Sequence, residues 1–153
     1  MRHFVAIAVV LTATLVAGQT LSPLNAECGK KCSGEFSITN NGVVPLVVTV
    51  EPYSFSFMNG KPTFQKIDGV AEVHLNALST RVSPKQTYVF DYRVKCIQFP
   101  CSVGFAAGMT VGHTDEGMAL RIVLNHVVYS CEKARNCRVS VLKAGNVSLE
   151  AKK

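Results

Sequence analysis

The sequence predicts an all-β sandwich of the immunoglobulin-like type, with about seven strands and disulfide staples. Three observations predict it. Beyond the first 18 residues, β-branched and aromatic side chains recur in short runs of alternating polarity. No segment of more than ten residues there carries a clean helical period. Turn signals cut the chain at short intervals, among them Asn40-Asn41-Gly42, Asn59-Gly60, Asp68-Gly69 and Ser83-Pro84-Lys85.

The elements follow in order. Phe36-Ser37-Ile38-Thr39 alternates as a half-buried strand should. Val43 to Tyr53 is a second strand, with Leu46, Val48 and Val50 on one face and Val47 and Thr49 on the other. Pro45 lies near its start, where a missing N–H is tolerated. Phe55 and Phe57 continue the alternation, and Val70 to Leu75 places Val73 and Leu75 in phase. Tyr88 to Val94 is the clearest strand, with Tyr88, Phe90, Tyr92 and Val94 sharing a face. Gly104 and Gly108 interrupt Val103 to Val111, so a short or bulged strand is expected there. Gly112 to Gly117 reads as a polar turn. Met118 to Tyr129 is the longest β-prone run, with Met118, Leu120, Ile122 and Leu124 on one face. A final hairpin is expected from Val139-Leu142 and Val147-Leu149 around Ala144-Gly145-Asn146.

The first 18 residues read as a secretory signal. Arg2 and His3 are followed by an apolar run from Phe4 to Ala17, broken only by Thr12 and Thr14. Small residues at Val16 and Gly18 suit cleavage before Gln19, and a later cut after Ala26 is the alternative. The run falls short of the roughly 20 apolar residues a spanning helix needs, so no stable membrane insertion is expected after cleavage. The remainder, residues 19–153, is expected to be one domain in the periplasm or outside the cell. Losing Arg2 takes the net charge from +6 to +5. The basic residues are scattered rather than set in a stripe with aromatics, which argues against a nucleic-acid partner.

Cys28, Cys32, Cys96, Cys101, Cys131 and Cys137 fall into three close pairs, C-x3-C, C-x4-C and C-x5-C. An even number in an exported chain implies disulfides. Local pairing is expected because each bond closes a short loop. The rival pairing ties Cys28 or Cys32 to Cys131 or Cys137. Tight C-x2-C knuckles are lacking, so neither zinc nor a redox motif is indicated.

Little in the sequence points to chemistry. His74, His113 and His126 have no partner at metal-ligand spacing, and no cofactor is expected. His113-Thr114-Asp115 lacks an accompanying nucleophile and reads as a polar turn. No G-x-S-x-G, P-loop or H-E-x-x-H motif occurs. Asn146-Val147-Ser148 matches a glycosylation sequon, which matters only in a eukaryotic host. The run from Met118 to Tyr129 has two readings: a strand whose even face fills the core, or an edge strand offered to a partner by β-strand addition.

Three stretches resemble the PapD-like periplasmic pilus chaperones, in that family's order. Glu35 to Val50 has a strand ending in Asn40, a short polar turn, Pro45 and an apolar strand. Arg81 to Tyr92 has Ser83-Pro84, a polar turn and an alternating strand. Met118 to Tyr129 is similar to the last strand of the family's first domain. The resemblance implies a strand that completes the sandwich of a pilus subunit, with Met118, Leu120, Ile122 and Leu124 entering the subunit's groove. It also implies a basic residue on that strand, Arg121 or His126, holding the subunit's terminal carboxylate. A one-residue slip exchanges the two faces. The chain departs from the family in matching its first domain alone, in lacking a convincing basic anchor on the first strand (Lys30 and Lys31 are poor substitutes), and in carrying three cysteine pairs. A single-domain relative with altered or lost chaperone activity fits these departures.

The expectation is therefore a non-enzymatic exported PapD-like domain that binds a protein partner through an edge strand, in the manner of a pilus or fimbrial assembly chaperone. The alternative is an extracellular structural or adhesive sandwich that makes contact through its loops. A small secreted hydrolase has least support.

Overall fold

Alternation of side chains builds two layers. The computed structural model describes residues 18–58, 61–111, 121–131 and 137. Ten strands occur among them: β1 (Thr20–Ser22), β2 (Asn25–Cys28), β3 (Lys31–Thr39), β4 (Leu46–Met58), β5 (Lys61–Gln65), β6 (Ala71–Leu75), β7 (Ser79–Val82), β8 (Thr87–Cys96), β9 (Cys101–Val111) and β10 (Arg121–Ser130). One sheet has the order β1-β3-β8-β6. The other runs β2-β10-β9-β4-β5, with β7 also paired to β4. The expected all-β, disulfide-stapled sandwich is what forms.

Cys32, Phe36 and Ile38 of β3 face inward, as do Phe90, Tyr92, Val94 and Cys96 of β8. They meet Leu46, Val48 and Val50 of β4 and Val103, Phe105, Ala107 and Met109 of β9. Rings make the centre. Phe36 stacks on Phe90 at 5.1 Å and on Phe105 at 5.7 Å, and Tyr92 lies 5.2 Å from Phe105. Each such ring contributes about 1.5–3 kcal/mol by leaving water.

Asn40 explains the turn that ends β3. It is fully buried, and its side-chain amide donates to the carbonyls of Val44 at 2.8 Å and Val82 at 3.0 Å. Its Oδ1 accepts from the Gly42 N–H at 3.0 Å. One side chain thus ties the end of β3 to the start of β4 and the end of β7, satisfying backbone groups that burial would otherwise leave unpaired.

The structure corrects the expectation for Val103 to Val111. This segment is neither short nor bulged: β9 pairs residue for residue with both β4 and β10. Gly104 and Gly108 make room for side chains instead of bending the strand. A Cβ on Gly104 would lie 2.1 Å from the Tyr53 ring, and one on Gly108 would lie 2.8 Å from the Arg121 guanidinium. The strand count exceeds the expected number for a different reason. β1 and β2 precede the first expected strand, one in each sheet, and β5 and β7 are short pieces sharing one edge of β4. The signal segment, Asn59-Gly60, the turn 112–117 with His113, the final hairpin and the sequon lie outside the described residues.

Cysteine pairing is local: Cys28–Cys32, Cys96–Cys101 and Cys131–Cys137 are bonded. Three disulfides in one small sandwich belong to an oxidising compartment outside the cytoplasm.

Candidate functional site

The last described strand, β10, has one side filled and the other only half filled. Along its full length it pairs antiparallel with β9. On its outer side β2 runs parallel to it and covers only Val127 to Ser130. This arises because the chain leaves β1 in the first sheet, turns at Pro23-Leu24 and enters the second sheet as β2. Among the described residues no strand pairs with the outer side of Arg121 to His126.

The hydrogen-bond parity of that open edge can be read from the covered half. The N–H groups of Val127 and Cys131 donate outward to Leu24 and Cys28, at 2.9 and 3.1 Å. Backbone groups alternate sides along a strand, so Arg121, Val123 and Asn125 also direct theirs outward. Ile122 and Leu124 direct theirs to β9. An exposed row of unpaired backbone groups is a template for another chain.

The side chains divide accordingly. Ile122 and Leu124 are half-buried against the core, at the mouth between the sheets. Val123 is 48% exposed on the opposite face. Arg121 is exposed, but its guanidinium lies over Gly108 of its own sheet, beside Thr49. Asn125 accepts a 3.2 Å hydrogen bond from the Tyr53 hydroxyl, which reaches it across Gly104. Burial, and secondarily the neighbouring Tyr129, pushes the Tyr53 phenol upward and keeps it a donor. Met118 and Leu120, also expected on this strand, lie outside the described residues.

His126 has a different place from the one implied by the resemblance. It is fully buried, stacked 5.0 Å from Phe36 and tilted against Tyr92 at 5.2 Å. Its Nδ1–H donates to the Pro23 carbonyl at 2.7 Å, pinning the β1–β2 corner to β10. Its Nε2 is buried and has no partner among the described residues. Burial lowers its pKa, and the Pro23 bond opposes that only in part. A neutral imidazole inside the core offers no cation to a partner's carboxylate. Among the described residues no group of His, Cys, Asp and Glu side chains is placed to hold a metal ion.

Sequence reasoning missed β2, whose short polar run carries no strand signal, and with it the outward-directed backbone of Val123 and Asn125.

Comparison with known structures decides the type of sandwich. The fold is PapD-like. The chain is similar to a structure of the Salmonella enterica SafA pilin in complex with the SafB chaperone, with a TM-score of 0.57 at 12% identity over 80% of this chain and 58% of that one. It is similar to the E. coli chaperone DraB, with a TM-score of 0.57 at 11% identity over 76% of this chain and 56% of that one. It is also similar to the CsuC–CsuE chaperone–tip adhesion subunit complex of Acinetobacter baumannii Csu pili, with a TM-score of 0.55 at 10% identity over 76% and 53% of the two chains. The chain spans somewhat more than half the length of each of these matched chains. No protein-family model matches it, and no curated protein matches it.

Proposed function

We propose that this chain is an exported, non-enzymatic PapD-like domain that binds a protein partner by adding one of the partner's strands to the outer side of β10 over Arg121 to His126, where no described strand pairs. The observation that carries this reading is the half-covered edge: Arg121, Val123 and Asn125 direct backbone groups outward beside the segment that β2 fills. Ile122 and Leu124, at the mouth of the sandwich, supply the apolar contact that alternates with those hydrogen bonds. Solved chaperones of this fold have been captured with a pilin and with a tip adhesion subunit, which makes an envelope protein of the pilus-subunit class the partner to seek. The reading draws on backbone pairing and apolar contact and not on a basic anchor: His126 is buried and Arg121 lies over its own sheet.

The test is a photo-crosslinking residue at Val123 in the native host, with a control at exposed Val89 on the other sheet. An adduct from Val123 alone is expected. In the purified complex, amide exchange should slow at Arg121, Val123 and Asn125 and stay unchanged at Ile122 and Leu124. A bound partner that leaves those three amides exchanging freely would refute strand addition.

A further inference from the structure

The outer face of the first sheet carries a cluster of cations at one end. Lys31 of β3 lies directly opposite Lys95 of β8, and Ser33 lies opposite Arg93. On the other side of β8, Glu72 pairs with Lys95 and His74 with Arg93. All six side chains are exposed and line an open trough of about 550 Å³. Its floor is backbone, because the intervening Cys32 and Val94 turn inward, 4% and 2% exposed.

The charges do not balance. Lys31, Arg93 and Lys95 stand against one carboxylate in the trough, Glu72, which is already 3.1 Å from the Lys95 ammonium. Like charges placed directly across a strand pair destabilise it unless something lies between them. The strand ends holding these cations are also fastened. Cys32 is bonded to Cys28, and Cys96, the residue after Lys95, is bonded to Cys101. Positive groups held on a fastened scaffold, with the Ser33 hydroxyl among them, are what an oxyanion needs.

The shape of the field limits the occupant. One row further along the strands, Glu35 lies opposite Asp91. Asp91 is held by Asn76 at 3.1 Å. Those two carboxylates close the positive zone after two rows and would repel a long polyanion running along the strands. We infer that this trough is a binding site for a compact, multiply charged phosphate, of the pyrophosphate class. It lies on the opposite sheet from the β10 edge and does not depend on the strand-addition reading.

The test is a ¹H–¹⁵N NMR titration of the full chain with inorganic pyrophosphate at low ionic strength, where screening is least. Shifts should concentrate at Lys31, Ser33, Arg93 and Lys95, with a dissociation constant of about 1 mM or tighter. Inorganic phosphate should bind more weakly. Replacing Lys31 and Arg93 together by Gln should weaken binding about tenfold, and Glu72→Gln should tighten it about threefold. The same spectra report whether each variant is folded. Three outcomes would overturn the inference: shifts scattered over Lys30, Lys66 and Lys85, no tightening in Glu72→Gln, or a heparin oligosaccharide that occupies this face more tightly than pyrophosphate.

Discussion

His126 shows how one residue's environment sets its chemistry. The resemblance makes it a cation facing a partner; in the fold it stacks on Phe36 and Phe105 and lies tilted beside Tyr92. Its Nδ1–H has a carbonyl partner 103 positions away in sequence, and its Nε2 has none among the described residues. A second proton would have to enter at Nε2, in an apolar site that cannot stabilise it. The folded-state pKa is therefore below the ordinary value near 6.5, and the unfolded chain takes up the proton first as pH falls. The stability linked to this group is fully present above about pH 6.5 and is lost as pH falls through the folded pKa, with a slope below about 1.4 kcal/mol per pH unit. Urea midpoints should fall between about pH 7 and pH 5, and His126→Asn should flatten the profile there. Asn retains an N–H for Pro23 but does not titrate. A wild-type profile as flat as the variant's would contradict this account. Gly104 and Gly108 teach a related lesson. They look like breaks in a strand, yet they are the floor beneath Tyr53 and Arg121.

Within the strands, the alternating side chains were legible and the edges were not. Phe36 and Ile38, Leu46 to Val50, and Phe90 to Val94 take the faces that their alternation assigns. That pattern is local, because successive residues of a strand must point to opposite sides. Whether β10 is central or marginal depends on what lies beside it, and β2 arrives from about 100 residues earlier in the chain. The consequence can be tested by proline substitution, since proline deletes one N–H. At Val123 the deleted group faces outward, so Val123→Pro should stay folded and change stability by no more than about 1 kcal/mol. At Leu124 the deleted group belongs to the β9 ladder, so Leu124→Pro should cost at least about 2 kcal/mol. Equal denaturation midpoints for the two variants would show that the edge is not open on the side described.

Across the whole molecule, the disulfides reinforce a sandwich whose layers already pack. The bonds close separations of only 4, 5 and 6 residues. In the chain-entropy model each contributes about 2 kcal/mol, so the three together contribute about 6 kcal/mol. That sum is comparable to the whole stability of a typical domain, about 5–15 kcal/mol. Replacing Cys96 and Cys101 together by Ser should leave a folded protein with a lower urea midpoint. Removing all three bonds should leave a chain that is partly or wholly unfolded at 37 °C, as circular dichroism would report. A triple variant with an unchanged midpoint would mean that the strands hold without staples.

Residue order alone carried the extended character of the chain, the two-faced strands, and cysteines close enough to pair with their neighbours. Each of these arises from groups a few positions apart, where steric alternation and short loop closure act without reference to the rest of the chain. The half-covered edge, the burial of His126 and the gathering of Lys31, Arg93 and Lys95 were settled by packing. They arise where strands distant in sequence come side by side, so their positions follow from how the two layers close on each other.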